Sequence, residues 1–225
     1  MKTRVTCLLA AGAFMASSGL AQAASLGFEN IDGFAAIHGQ RLVDGDYVID
    51  GFNVTISTTG GVGDAQIFDT QDMTPGIEDT DLQQPLNVDT DAVYPINDSK
   101  VLIIAENNSD TNPDDAAGGG SILLTFDREV RFSGINLIDG EPGSNVINVL
   151  ADGGVQVVTN ASQGEREWET IMFQDAFRTK TIEVVFGGSG AFDALQITEV
   201  PVPAAGMLML SALGGFAGVR RFFGA

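Results

Sequence analysis

The chain has 225 residues, which is enough for one domain with short appendages at roughly 150 residues per domain. Hydrophobic residues make up 44% of the chain, which argues against a fully disordered protein. The 30 acidic residues against 11 basic ones give a net charge of −19 at pH 7. This balance argues against nucleic acid as a partner, because phosphates require a basic surface.

The first 23 residues predict a secretory signal peptide and therefore an exported protein. Lys2 and Arg4 supply the positive start, an apolar stretch covers residues 5–20, and Ala21-Gln22-Ala23 provides a small-x-small cleavage pattern. A buried N-terminal helix is the alternative interpretation of the same residues.

Removal of this segment changes the chemistry of the remaining chain. Cys7 is the single cysteine, so the mature protein is predicted to contain no disulfide and no cysteine metal site. Residues 24–200 hold all 30 acidic residues and seven basic ones, which gives the exported body a formal charge of −23.

Residues 24–199 show the pattern of an all-β domain. Short runs of β-branched and aromatic residues recur about every 10–15 residues and are separated by Gly, Asp, Asn and Pro clusters. Alternation in Ile182, Val184 and Phe186 indicates half-buried antiparallel strands. About ten such runs predict one antiparallel β-sandwich of jelly-roll type. The runs are Phe52–Ser57, Ala65–Phe68, Val101–Ala105, Ser121–Phe126, Val130–Ile138, Val146–Leu150, Val155–Thr159, Glu167–Phe173, Thr181–Phe186 and Phe192–Val200.

The last 26 residues, 200–225, form a tail of three parts. Val200-Pro201-Val202-Pro203-Ala204 comes first, and its prolines predict a domain end and a short rigid linker. The uncharged span Ala204–Val219 has 16 residues, just under the roughly 17–25 that cross a bilayer core as a helix. Arg220 and Arg221 predict that this end stays cytoplasmic and that the acidic body lies outside. A buried terminal helix is the alternative.

This tail resembles the exosortase sorting signals of the PEP-CTERM class, in the VPxPA variant. Val202 stands where that pattern often has Leu, and the Arg pair is followed by four further residues. The resemblance implies that an exosortase-type enzyme in the inner membrane recognises and removes the tail. It also implies an exported surface or extracellular-matrix protein of a Gram-negative bacterium, often linked to exopolysaccharide.

The body is similar to domains that often precede such tails, which look like carbohydrate-binding jelly rolls. This resemblance implies the fold and no activity. The extracellular polysaccharide partner is implied by the resemblance of the tail. The segments that carry it are Ile67–Thr70, Asp79–Leu82, Val101–Glu106, Pro113–Asp115, Gly118–Gly120 and Ser189–Leu195.

Acidic residues are concentrated between residues 64 and 115, where thirteen of them accompany the single basic residue Lys100. Crowded carboxylates repel one another unless a cation lies among them, and Ca²⁺ takes six to eight oxygen ligands. The acidic loops 69–81 and 106–115 flank the run Val101–Ala105, so both are expected at one end of the sandwich. The predicted calcium ligands are Asp69, Asp79, Asp81, Glu106 and Asp115. The alternative is a solvated acidic loop, and the spacing is not that of an EF-hand.

Patterns typical of catalysis are few. His38 is the only histidine, no G-x-S-x-G elbow occurs, and a zinc site requires several His or Cys ligands. The favoured function is therefore a non-catalytic binding or structural module at the cell surface, calcium-dependent and glycan-directed. Trp168 with Tyr47 or Tyr94 would stack on a sugar ring, although a lone Trp in a β domain is more often a core residue.

Two other functions stay open from the sequence. A glycosidase needs only two carboxylates, so a small secreted glycan-active hydrolase is the main alternative. Two carboxylates roughly 5–10 Å apart in a groove would favour it. A structural matrix protein without a ligand is the third possibility.

Overall fold

The computed structural model describes residues 23–60, 63–73, 80–95, 99–140, 148–152, 155–158 and 166–200. These residues form fourteen strands and contain no helix. The strands are β1 (Ala23–Leu26), β2 (Asn30–Ile31), β3 (Phe34–Ala35), β4 (Arg41–Leu42), β5 (Gly45–Ile49), β6 (Phe52–Thr59), β7 (Ala65–Asp69), β8 (Leu86–Asn87), β9 (Lys100–Ile104), β10 (Gly120–Ile138), β11 (Asn148–Ala151), β12 (Val155–Val158), β13 (Glu167–Phe186) and β14 (Ala191–Glu199).

Two Asp-Gly pairs form the tight hairpins near the N-terminus. Asp32 and Gly33 have φ of 54° and 80° between β2 and β3, and Asp50 and Gly51 have φ of 48° and 82° between β5 and β6. Two consecutive residues with positive φ are characteristic of the type I′ turn, whose twist matches that of the strands it joins.

The strands form one curled sheet. Its order is β3-β2-β5-β6-β10-β14-β9-β7-β4, with β1 also paired to β14, β13 to β10, β11 to β13 and β12 to β11. All of these pairs are antiparallel, and only the two-residue pairing of β8 with β13 is parallel. The prediction of an all-β antiparallel domain is therefore confirmed.

Strand β10 divides the sheet into two layers. It pairs with β6 over Ser121–Phe126 and with β14 over Val130–Ile138, and its register against β13 shifts between those two halves. We call the part around β5, β6, β11 and the adjoining halves of β10 and β13 the first layer. The part around β14, β9 and β7 is the second layer.

The main core lies between the two layers. Buried side chains alternate along β6, where Phe52, Val54 and Ile56 are buried while Asn53 and Thr55 are exposed. Ile56 from the first layer and Leu195 from the second belong to one continuous apolar cluster. This alternation with period two is expected of strands that have one face in the core and one in solvent.

A second, smaller core lies on the other side of the second layer. Val101 and Ile103 of β9 point into it, whereas Leu102 and Ile104 point into the main core. Leu82 and Tyr94 from segment 80–95 cover these residues. Strand β9 is thus buried on both faces, which explains its unbroken apolar run.

The predicted terminal segments lie almost entirely outside the described residues. Residues 1–22 and 201–225 are not described, so the signal peptide and the sorting tail stay predictions. Among the residues that are described, no helix is long and apolar enough to cross a membrane.

Candidate ligand-binding face

The outer side of the first layer carries short polar side chains in register. Asp46 of β5 lies opposite Thr55 of β6, Thr55 lies opposite Thr125 of β10, and Thr125 lies opposite Thr181 of β13. Because neighbouring strands are about 4.8 Å apart, these four residues form a row across the sheet. We call this surface the polar face.

Its carboxylates are held by neutral donors of the neighbouring strand. The Thr55 hydroxyl donates to Asp46 Oδ1 at 2.5 Å, and the Asn53 amide donates to Asp127 Oδ2 at 2.8 Å. Further along the face, the Ser121 hydroxyl donates to Glu183 Oε1 at 2.7 Å. These hydrogen bonds fix the side chains and leave the negative charges in place.

A groove of about 410 Å³ lies on the polar face between β5, β6 and β10, lined by Asp46, Asn53, Val54, Thr55, Thr125, Phe126 and Asp127. This volume falls in the lower part of the range for small-molecule sites, roughly 300–1,000 Å³. Val54 and Phe126 are 1% and 2% exposed, so their side chains point into the core. The floor is therefore backbone and threonine.

Arg128 follows the groove residue Asp127 in the chain. Its Nε lies 3.7 Å from Asp127 Oδ1, but its Nη2 lies 3.0 Å from Glu199 Oε1 and donates to the Gly51 carbonyl. The guanidinium also lies 5.6 Å from the ring centroid of Phe52. Arg128 is thus directed mainly away from the groove, which keeps a negative charge.

Four of the five predicted calcium ligands lie among the described residues, and they form two groups. Asp69 is paired with Lys100 at the start of β9, whereas Asp115 is paired with Ala105 just beyond its end. At about 3.3 Å per residue, these two positions lie roughly 17 Å apart. Asp69 and Asp115 therefore cannot share an ion in this fold.

The remaining calcium candidates follow the same division. Asp81 belongs to the end that holds Asp69, because the backbone N–H of Gln84 donates to the carbonyl of Thr70. Glu106 is exposed at the opposite end, next to Asp115. Asp79 lies outside the described residues.

The carboxylates of Asp69 and Asp115 have hydrogen-bond partners within the protein. Lys100 Nζ donates to Asp69 Oδ2 at 2.5 Å, and the backbone N–H of Gly190 donates to Asp115. No group of three or more His, Cys, Asp or Glu side chains in the described part of the chain is arranged to hold a metal ion. The four described candidates are not brought together at one position, and calcium binding itself stays a prediction.

His38 has a structural environment. Its Nδ1 accepts a hydrogen bond from the backbone N–H of Asp69 at 3.1 Å, and its ring packs edge-on against Phe68 at 5.1 Å. Burial lowers the pKa of His38, although the carboxylates of Asp72 and Asp69 act in the opposite direction. The neutral imidazole therefore carries its proton on Nε2, which is buried and has no hydrogen-bond partner among the described residues.

The aromatic candidates for sugar stacking are largely committed to packing. Tyr94 is 1% exposed, and Trp168 packs edge-on against it at 5.2 Å and donates from Nε1 to the carbonyl of Ala92. Tyr47 packs against the main core and donates its hydroxyl to the carbonyl of Val43. None of the three lies in the lining of the groove.

The chain has limited similarity to known proteins. No family model matches the chain, and no curated protein matches it. Among solved structures, TmCBM61 in complex with β-1,4-galactotriose has a TM-score of 0.31 and 13% identity, over 65% of this chain and 88% of that one.

Two modules from Clostridium perfringens are similar at a comparable level. CpGH89CBM32-6 has a TM-score of 0.27 and 13% identity, over 38% of this chain and 71% of its own. CBM32-1 from a family 31 glycoside hydrolase has a TM-score of 0.26 and 18% identity, over 40% of this chain and 74% of its own. At these TM-scores, no ligand or activity transfers to this chain.

Proposed function

We propose that this protein is an exported, non-catalytic module that binds a glycan on the polar face. The observation that carries the proposal is the groove between β5, β6 and β10, whose lining offers hydroxyl, amide and carboxylate groups on a preformed sheet. A sugar presents many hydroxyl groups, and fixed polar side chains of this kind can orient them by hydrogen bonds.

The hydroxyl of Thr125 is central to this proposal. Thr125 lies on the groove floor opposite Thr55, and among the described residues its hydroxyl has no hydrogen-bond partner. It is therefore available to a ligand without the loss of an internal contact.

Substitution of the groove floor tests the proposal. Thr125→Leu removes the hydroxyl and adds bulk, and we expect roughly tenfold weaker binding of the glycan ligand by titration calorimetry. Thr198→Leu is the matched control, since Thr198 is also half-buried on a strand but lies on β14 opposite Arg131. If the Thr125→Leu variant binds glycans as tightly as the Thr198→Leu variant and the unmodified protein, the groove is not the binding site.

We further propose that export and sorting use the two ends of the chain. The predicted cleavage after Ala23 would leave Ala24, Ser25 and Leu26 to form β1 against β14. The sorting motif Val200, Pro201, Pro203 and Ala204 follows directly after β14 in the sequence, so an exosortase-type enzyme would cut close to the end of the folded domain.

Mass spectrometry of the mature protein from cells tests this sorting proposal. The expected protein begins near Ala24 and ends near Ala204. Replacing Arg220 and Arg221 with Glu should impair maturation, because cytoplasmic positive charge sets the orientation of the predicted span. Surface copies that retain Phe222 and Phe223 would contradict sorting by removal of the tail.

A small glycan-active hydrolase is the second candidate, since the groove holds two carboxylates. Asp46 and Asp127 both lean toward β6, where their partners Thr55 and Asn53 are two residues apart. From this register, the carboxylates lie on the order of 7–10 Å apart, which overlaps the separation in inverting glycosidases. However, Asp46 and Asp127 are both exposed, whereas the general acid of a glycosidase occupies apolar surroundings.

Release of reducing ends distinguishes the two candidates. A binding module leaves a bound oligosaccharide intact over hours at micromolar protein, whereas a hydrolase releases reducing ends at a rate that Asp127→Asn abolishes. Cleavage that depends on Asp46 or Asp127 would replace the binding proposal by the hydrolase.

A further inference from the structure

We propose that the groove selects glycans that carry free amino groups, such as oligosaccharides of 2-amino-2-deoxyhexose, over neutral and uronic-acid glycans. This inference rests on the proposed function, because it concerns the ligand class of the same groove. It follows from how the two groove carboxylates are held and from which groups surround them.

The two groove carboxylates differ in how many of their oxygens have a partner. Asp46 Oδ1 accepts from Thr55 and Asp127 Oδ2 accepts from Asn53, and both donors are neutral. No ion pair to Asp46 occurs among the described residues, and Asp127 has only the 3.7 Å approach of Arg128. The second oxygen of Asp46 therefore has no partner among the described residues. The second oxygen of Asp127, Oδ1, is the atom that Arg128 approaches, although Arg128 Nη2 is turned to Glu199 and the Gly51 carbonyl.

An ammonium group is a better partner for such an acceptor than a hydroxyl group. A hydrogen bond between an ammonium donor and a carboxylate is roughly twice as strong as one between neutral groups. Uronic acids would instead place like charges against Asp46 and Asp127, in a body that already carries a formal charge of −23.

The spacing of the lining fits a ligand that alternates amino and hydroxyl groups. Thr55 lies next to Asp46, and Thr125 lies two residues before Asp127 on β10, so the register gives a floor of roughly 10 Å across the strands and 7 Å along them. The threonine hydroxyls can meet ring hydroxyls while the carboxylates meet amino groups. Because Val54 and Phe126 point inward, the floor has no apolar pocket for peptide side chains.

Titration calorimetry of the full-length mature protein at 0.15 M salt tests the selectivity. The probes are a glucosamine trisaccharide, its fully N-acetylated form, a galacturonic acid trisaccharide and trilysine. We expect the glucosamine trisaccharide to bind about tenfold more tightly than the N-acetylated form, and the uronic acid trisaccharide to show no measurable binding. N-acetylation removes the charge and keeps the sugar, so this comparison isolates the amino group.

Paired variants separate the groove from the overall charge. Asp46→Asn with Asp127→Asn removes both charges but keeps acceptors for Thr55 and Asn53, and it should abolish the tenfold preference while melting within about 2 °C of the unmodified protein. Asp175→Asn is the control, because Asp175 is exposed on β13 outside the groove lining. It should keep the preference.

Four results would overturn the inference. The first is that the N-acetylated trisaccharide binds as tightly as the amino trisaccharide. If Thr125→Leu still weakens the binding of both, the proposed glycan function stays intact. The second is that the Asp46→Asn, Asp127→Asn double variant still prefers the amino trisaccharide. The third is that Asp175→Asn loses this preference to the same extent as the double variant. The fourth is trilysine bound as tightly as the amino trisaccharide, which would make the groove a reader of ammonium groups rather than of sugars. If no trisaccharide binds and Thr125→Leu changes nothing, the proposed function fails as well.

Discussion

The buried hydroxyl of Tyr94 joins segment 80–95 to the second layer, and its removal provides a test of the fold. It donates to Asp193 Oδ2 at 2.9 Å and accepts from Asn136 Nδ2 at 3.1 Å. Asn136 Oδ1 in turn accepts from the Thr170 hydroxyl at 2.7 Å. Asp193 is 0% exposed and Tyr94 is 1% exposed, so the hydrogen bond between them is buried, whereas the chain ends at the exposed Thr170.

Tyr94→Phe deletes the hydroxyl and keeps the ring against Trp168. A hydrogen bond to a carboxylate contributes about 1.5–3 kcal/mol and a neutral one about 0.5–1.5 kcal/mol, so the free energy of unfolding should fall by about 3 kcal/mol. For a domain of this size, about 2–4 °C in Tm accompanies each kcal/mol, which gives a decrease of roughly 6–12 °C.

Tyr47→Phe is the matched control in thermal and denaturant unfolding. The Tyr47 hydroxyl donates to a neutral acceptor, the carbonyl of Val43, at 2.6 Å near the surface. We expect its loss to cost about 1 kcal/mol, or roughly 2–4 °C. If Tyr94→Phe is no more destabilising than Tyr47→Phe, the Tyr94 hydroxyl does not hold segment 80–95 in place.

Three further predictions concern a pH dependence, a close backbone contact and calcium. Burial lowers the pKa of His38 below 6.5, so the unfolded chain takes up the proton first and the free energy of unfolding should fall as the pH decreases below 6.5. In urea unfolding at pH 7.5 and 5.5, His38→Asn should show a smaller difference in stability between the two pH values. In the same assay, Gly39→Ala should lower the free energy of unfolding by at least about 2 kcal/mol more than Gly33→Ala. Both glycines have positive φ, but of the two only Gly39 would bring a Cβ against backbone, at Asp110. Equal destabilisation by the two substitutions would refute this collision. Calcium at several millimolar should raise Tm by roughly 2–4 °C, and Asp79→Asn with Asp81→Asn should abolish the increase; a melting curve identical to that in chelator would refute calcium binding.

The strand content could be predicted from the sequence because the longer strands β6, β10, β13 and β14 contain alternating or apolar runs. The runs Ser121–Phe126 and Val130–Ile138 were predicted as separate strands, yet the structure contains one strand, Gly120–Ile138. The residues between them, Asp127–Glu129, are charged and exposed, which is the pattern of a loop. A register shift against β13 at this point lets the strand continue from one layer into the other.

The shortest strands could not be predicted in this way. β2, β3, β4 and β8 have two residues each, so they are too short to show an alternation. The Asp-Gly turns at Asp32 and Asp50 were the available signal for the two N-terminal hairpins.

Whether the acidic loops before and after β9 meet depends on how β9 pairs with β7, which the sequence does not reveal. β7 and β9 are antiparallel neighbours, so the loop after β7 lies at the start of β9. The loop after β9 necessarily lies at its other end. Residues 70–73 and 106–115 therefore lie at opposite ends of β9.

The polar face depends on the same kind of information. Asp46 and Asp127 are 81 residues apart in the chain, and only the register of β5, β6 and β10 places them around one groove. Sequence alternation shows that Asn53 and Thr55 point outward, but it does not show which outward surfaces remain uncovered. Segment 80–95 covers the outer side of the second layer and seals it with Tyr94 and Leu82. The groove lies on the other layer, on the outer side of β5, β6 and β10. Tyr94→Phe therefore tests the arrangement of the two layers on which the groove variants depend.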